Sequence, residues 1–339
     1  MKRDGWKGLL VPAAGVLLGA LALVFGGGPA KENGFTLPGY HNADAKFLGE
    51  HVITSVEEGI QILDLEGNVI RGFEGLSASW LYVQEGDEGP VVAYSNHENE
   101  THILQLSGTD FEVGKDQMVL QTKTLAIDPV LLRDQDTWYL MHTLIEGTIN
   151  NPDPKGENGT YTVRLYRSGD LTKWEYVTDV ISRRQNLEDG DLRCVDGTFY
   201  YFFEMEQYDK GPSAICVMES EDQGKTWSEP RELLLAVADN EMASCEKTED
   251  GWRLYVSSDY DCVGESYQGA RVYYADYTPE FEPICTYQLS DMPDNQAVRL
   301  YEVKEIQGQT GFLFARNFLT DCDLLFRTLE KEEGGNQGK

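Results

Sequence analysis

Several kinds of chemistry are excluded by what the sequence lacks. Its five histidines, at 41, 51, 97, 102 and 142, show neither the HExxH spacing nor any other ligand spacing, so a catalytic metal has no support. No two of the six cysteines form a CxxC pair, which disfavours zinc-ribbon and thioredoxin-type sites. GxSxG, P-loop and dinucleotide fingerprints are missing. Basic residues are scarce: 28 Lys and Arg face 58 Asp and Glu, for a formal charge of −30. Such a field repels phosphate backbones and anionic headgroups, which argues against a nucleic-acid partner. Its simplest meaning is a solubilising surface. Helical periodicity is almost wanting beyond the first 30 residues.

The 339 residues include 41% hydrophobic and 11% aromatic side chains, 18 of them Tyr. That is ample for a core, either of one large all-β domain or of two ordinary ones. Lys2, Arg3 and Lys7 precede an apolar run from Leu9 to Phe25. This layout predicts export, with residues 1–30 a signal peptide or a signal-anchor. Gly28-Pro29-Ala30 offers small residues for cleavage; cleaved and anchored forms both stay open. The expected location is extracytoplasmic, secreted or held to the membrane by residues 8–26, and no other contact with a membrane is expected. No cysteine near the end of the run provides a lipoprotein anchor. The cysteines, at 194, 216, 245, 262, 285 and 322, are even in number and all C-terminal. One or two disulfides, or buried thiols, are both compatible with that pattern.

What recurs along the rest of the chain is a short β-rich run, a turn and a second aromatic run. Cys194-Val195, Asp196-Gly197 and Thr198–Phe203 show it, as do Cys245–Thr248, Glu249–Gly251 and Trp252–Val256. The units repeat at longer range. Each opens on polar or acidic residues near its first strand: Asn42–Asp44, Ala126–Pro129, Asn186–Asp189, Asp239–Glu241 and Asp294–Gln296. The spacings 128 to 188, 188 to 241 and 241 to 296 are 60, 53 and 55 residues. The interval from 44 to 128 is 84 residues and holds a further candidate unit beginning at Ser79. Four-strand units of this length predict an all-β fold, a five- or six-bladed β-propeller of four-stranded antiparallel blades behind the hydrophobic leader. One domain over 31–330 is expected, followed by a polar tail at 331–339. In such a fold the first strands line a central funnel, which brings scattered carboxylates together.

Ser220-Glu-Asp222-Gln-Gly224-Lys-Thr226-Trp227 fits the S-x-D-x-G-x-T-W pattern of the Asp box, and Ser168-Gly-Asp170-Leu171-Thr-Lys-Trp174 is a looser copy one unit earlier. The box marks outer hairpins in sialidases and other sugar-active propellers, and its role is structural. Ala126-Ile-Asp128-Pro129 through Tyr139-Leu140 resembles the second acidic motif of five-bladed glycoside hydrolases, the arabinanase, xylosidase and invertase-like group that includes family 43. Glu188-Asp-Gly-Asp-Leu through Phe202 looks like the third motif, and Asn42-Ala-Asp44 is the best match to the first, without its usual Pro. The resemblance implies that Glu188 is a general acid, Asp128 the neighbour that raises its pKa, and Asp44 a base or nucleophile. Paired carboxylates on opposite faces of a glycosidic bond are what its hydrolysis needs. Turn and strand-entry carboxylates satisfying backbone donors would look the same in sequence.

The expected activity is hydrolysis of a neutral or plant-type glycan. Trp80, Asp189, Glu241, Arg271 and Arg316 are candidate substrate contacts. Trp80, Trp138 and Tyr267 could stack on sugar rings or fill the core. No cofactor is expected, although the resemblance allows a structural ion in the funnel. Two alternatives remain. A sialidase would need three arginines, with Arg271 and Arg316 as members, and a Tyr served by Glu241 or Glu246. A propeller that only binds glycans or proteins would need no catalytic set.

Overall fold

The computed structural model describes residues 34–329, so the leader at 1–30 and the tail at 331–339 lie outside the described residues. The described chain forms six sheets, each of four antiparallel strands. Five blades are built from consecutive strands. The sixth pairs three C-terminal strands, Val298–Ile306, Gln309–Arg316 and Asp323–Leu329, with Gly34–Leu37 from the other end of the chain. The inner strands are Ala45–Leu48, Trp80–Glu85, Leu125–Asp134, Asn186–Val195, Asn240–Lys247 and Val298–Ile306. Each lies against the next, and the last against the first, so the ring closes. The propeller is therefore six-bladed. The 84-residue interval holds two blades, and Asp44 and Asp128 stand on blades one and three rather than on the adjacent blades that the resemblance implies.

Apolar residues alternate along the strands, and each blade packs on both neighbours. Six buried clusters result, one in each gap. Between blades three and four it includes Met141, Leu165, Phe199 and Phe203; between six and one, Phe47, Leu63, Leu313 and Phe326. Outer hairpins are tied by aspartates. Asp222 Oδ1 accepts the Lys225 and Thr226 N–H groups at 3.0 and 2.9 Å, and Trp227 Nε1 donates to the Gly224 carbonyl at 2.9 Å. Asp170 Oδ1 caps Thr172 and Lys173 in the same way. All six cysteines are free thiols, which settles against disulfides. They are spread over blades four, five and six, and Cys216, Cys245 and Cys322 are buried in three different apolar layers.

Closure rests on a few contacts. Arg327 is 6% exposed, and its guanidinium donates to the Phe35 carbonyl at 2.6 Å, Thr36 Oγ1 at 2.7 Å and Asp294 Oδ2 at 2.8 Å. Gly34 has φ 135°, and a Cβ there would run into the Phe326 carbonyl oxygen. We expect Arg327→Ala to cost roughly 3 kcal/mol, because buried acceptors lose a charged donor. Gly34→Ala should be destabilising while leaving the four-strand pairing of the other blades intact. Urea unfolding of both variants checks this, and unchanged midpoints would show that the N-terminal strand is dispensable.

Candidate active site

The inner strands of blades three to six share one irregularity. Each carries one residue more than the strand it pairs with, between Ile127 and Val130, Glu188 and Asp191, Met242 and Ser244, and Leu300 and Glu302. A bulge of this kind re-aims nearby side chains. In blades three and four it holds an aspartate in left-handed backbone, Asp128 at φ 48° and Asp189 at φ 50°. Asp tolerates that region better than most non-glycine residues. The hairpins Asp134–Thr137 and Val195–Thr198 are equivalent, so by register Asp128 corresponds to Asp189, and Ile127 to Glu188.

A cavity of about 580 Å³ lies on the axis, with walls from all six inner strands. Asp44, Asp128, Asp189, Lys46, Trp80 and Arg299 face it. Asp44 Oδ1 accepts the Ala45 N–H at 2.8 Å, its Oδ2 accepts the Leu81 N–H of blade two at 2.7 Å, and Lys46 Nζ lies 3.8 Å away. Two N–H donors and an ammonium complement a negative charge. Asp128 has a different setting. Its Oδ2 accepts the Asp189 N–H at 3.1 Å, but burial, then the Asp189 carboxylate, push its pKa up to about 8. Burial first and Asp128 second hold the Glu188 carboxyl well above the usual carboxylate range. Asp189 is raised by burial and by Glu241, against the opposing charges of Arg299 and Lys46.

Glu188 is not part of the cavity wall. It occupies the register position that Ile127 fills in blade three, and its Oε1 is enclosed without a hydrogen-bond partner among the described residues. Glu241 joins Asp189 and Glu204: one carboxylate oxygen of each lies within 4.8 Å of the others. That trio could hold an ion in the funnel, although the charges of Arg299 and Lys46 already act on Asp189. Arg271 lies 3.9 Å from Asp261, and Arg316 pairs with Asp323 at 3.4 Å and Asp294 at 3.8 Å; neither lines the cavity. Trp138 is buried between blades two and three, with Arg133 over its ring. Tyr267 stands beside Glu241, whose charge adds to burial in raising its pKa, and lines a second cavity with Phe318.

The cations that line the cavity, Lys46, Arg193, Lys247, Arg299 and Lys304, all escaped the sequence reading, and two of them stand out. Lys46 stands two residues beyond Asp44, hence on the same face of the strand. Arg299 lies three residues after the opening of the sixth unit, with its guanidinium 4.4 Å from the Phe318 ring centre and 5.6 Å from that of Tyr301. Position on an inner strand was the available signal for both.

Asp128 gives a pH expectation. Its folded carboxyl keeps a proton to about pH 8, whereas an unfolded Asp ionises near ~4. Folding takes up a proton between these values, so this contribution to stability is complete at low pH and is lost as pH rises through about 8. Asp128→Asn should weaken the decline in urea midpoint between acid and mildly alkaline buffer. A variant whose midpoint falls as steeply as that of the wild type would refute the assignment.

Residues 118–275 match the family model described as glycosyl hydrolases family 43. The match runs from the outer strand of blade two, Glu112–Gln121, into blade five and covers the positions of Asp128, Glu188, Asp189 and Glu241. Among solved structures, the chain is similar to an endo-arabinase from Bacteroides thetaiotaomicron VPI-5482, with 12% identity and TM-score 0.53 over 77% of this chain and 96% of that one. It is also similar to an alpha-L-arabinofuranosidase from Lactobacillus brevis, with 11% identity and TM-score 0.51 over 76% and 93%. At these identities the likeness is one of fold. No curated protein matches. The chain thus resembles β-propeller glycoside hydrolases of family 43, most specifically over its middle blades.

Proposed function

We propose that this protein is a glycoside hydrolase acting on plant-type glycans, with the axial carboxylates as its acid and base. The observation that carries the reading is the gathering of Asp44, Asp128 and Asp189 on one cavity, with Glu188 against Asp128, from strands far apart in sequence. Similarity to family 43 over the segment that supplies three of them supports the class of chemistry. Arabinan- and arabinoside-cleaving enzymes among proteins of like fold favour a neutral pentose-containing glycan.

Hydrolysis needs a protonated carboxyl to give its proton to the leaving oxygen and a carboxylate on the other face of the sugar. Burial and like charge keep protons on the Asp128, Glu188 and Asp189 group. Asp44, on the same cavity and beside Lys46, takes the part of base or nucleophile. Glu188 is the donor in this reading, and Asp128 raises its pKa. One observation favours a second assignment. Asp189 is the register equivalent of Asp128 and lines the cavity, whereas Glu188 does not. A leader that exports the chain fits a polymeric substrate outside the cell, and cell fractionation that left the protein in the cytosol would count against it.

Glu188→Gln should lower turnover of an unactivated arabinoside by roughly 10²–10⁴-fold and leave an aryl glycoside with an acidic leaving group far less affected. If Asp189→Asn shows that split instead, Asp189 is the donor. Asp128→Asn should shift the basic limb of the pH–rate profile downward, because the donor loses a neighbour that raises its pKa. Asp44→Ala should abolish activity on both substrates. Full activity in all of these variants would place the catalytic groups elsewhere and overturn the assignment, and a wild type that cleaves nothing in a broad arabinoside and xyloside panel would leave a glycan-binding propeller as the reading.

A further inference from the structure

On the rim of blade five a pair of stacked tyrosines meets solvent. The second strand of that blade, Trp252–Ser258, ends beside the entry of the inner strand, where Ser258 pairs with Asn240. Tyr260, two residues further, therefore lies on the face of the ring where the inner strands begin. That is the face of Glu241 and the other unit-opening carboxylates. The Tyr260 ring stacks on that of Tyr287, with centres 4.1 Å apart and planes 9° from parallel. Tyr273 meets both rings edge-on, at 6.0 and 6.1 Å. Being equally far from the two, Tyr273 touches the side of the stack and leaves the outer face of Tyr260 uncovered. Tyr273 is 2% exposed and Tyr260 43%, so the stack is rooted in the core and shows one ring to water.

The backbone bends to make this stack. Thr286 and Tyr287 stand opposite Ala275 alone, a bulge in the outer strand Pro283–Leu289, and Tyr287 there has φ 50°. Left-handed backbone is an outlier for a bulky side chain, and such outliers gather where ligands are held. The Tyr287 hydroxyl is anchored at the same time: it donates to Asn240 Oδ1 at 3.1 Å, next in the chain to Glu241. It also lies 3.3 Å from the carbonyl oxygen of Leu235, whose side chain is 61% exposed. Polar groups flank the rings. Arg271 and Tyr273 are two apart on the strand Arg271–Tyr277, so they share a face. The Tyr273 hydroxyl donates to Asp261 Oδ2 at 2.7 Å, and the Arg271 guanidinium is 3.9 Å from the same oxygen. At that distance the contact is ionic and not a hydrogen bond, so it uses none of the guanidinium N–H donors.

We propose that Tyr260, backed by Tyr287 and flanked by Arg271 and Asp261, is a second carbohydrate-binding site that holds a stretch of uncharged polysaccharide away from the axial cavity. A sugar ring turns C–H bonds to its faces and hydroxyls to its edge. The C–H hydrogens suit the negative face of an aromatic ring, and the hydroxyls suit an arginine and a carboxylate at its border. Other occupants fit less well. Nucleic-acid bases also stack on aromatic rings, but a formal charge of −30 repels their phosphates. The same charge on a second copy opposes self-association through this patch. The inference rests on the reading of the axial cavity as a glycan site and adds that the substrate is a polymer, held at the rim as well as on the axis. It also gives a place to Arg271, which the cavity does not use.

The test uses the full-length protein. Electrophoresis through gels that contain arabinan or xylan should retard the wild type. Tyr260→Ala should raise the dissociation constant for the polymer about fivefold. Tyr260→Phe, which keeps the ring, should bind as the wild type does, and Arg271→Ala should weaken binding. In kinetics, Tyr260→Ala should raise KM for the polymer by the same factor at unchanged kcat. An aryl arabinoside, which has no chain beyond the cleaved unit, should show no such rise. Equal affinity of the wild type and Tyr260→Ala for every polymer overturns the proposal, as does a wild type that no polymer retards. A rise in KM that is equal on the aryl arabinoside places the effect at the axis and overturns it too. Retardation by polygalacturonate or DNA in place of the neutral polymers overturns the uncharged partner. A wild type that binds arabinan through Tyr260 yet cleaves nothing supports this site and refutes the hydrolase reading, so the two failures are told apart.

Discussion

A four-stranded antiparallel blade has two apolar faces and cannot bury either by itself. Everything else in this protein follows from that. Each blade must lie between two others, so the chain forms a ring, and the ring must close or leave two apolar faces in water. Six separate apolar layers, one per gap, replace a single core. The last gap is sealed by pairing the two ends of the described chain in one sheet, where Arg327 joins Phe35, Thr36 and Asp294.

Ring closure also creates the axis, and the axis concentrates charge. Inner strands converge, so any polar residue at a strand entry meets its counterparts from other blades. Here those residues are mostly carboxylates. Bulges at matching places in blades three to six add a residue to each inner strand, and in two of them left-handed backbone presents an aspartate to the cavity. Close packing of like charges in a dry interior is unfavourable. The structure meets it in two ways: cations on the cavity wall, Lys46 and Arg299 among them, and retained protons on Asp128 and its neighbours. A site in which one carboxyl is held neutral while another faces an ammonium is the polarity that acid–base cleavage of a glycosidic bond requires.

The division of roles among Asp128, Glu188 and Asp189 shows where linear reasoning stops. In sequence, Glu188 opens its unit and looks like the third acidic motif. In the fold, the bulge makes Asp189 the counterpart of Asp128 and sets Glu188 in the position of Ile127, at the edge of the layer between blades. An added residue changes which side chain faces the axis, and no periodicity in the sequence announces it.

The alternation of apolar residues, the Asp-Gly turns and the spacing of the polar openings determined by themselves that this is an all-β propeller with four-stranded blades. They did so because strand period and turn chemistry are local properties. They also named Asp44, Asp128, Glu188, Asp189 and Glu241 as residues near the axis, since unit openings mark inner strands. Tertiary structure alone decided the rest. The blade count needed the 84-residue interval to divide into two blades, the first of them short in sequence signal. The placement of Arg271 and Arg316 away from the cavity, and of Arg299 and Lys46 on it, depended on which face of each strand turns inward. The free state of the six cysteines depended on which apolar layer received each one. These are relations between residues distant in sequence, fixed only when the ring closes.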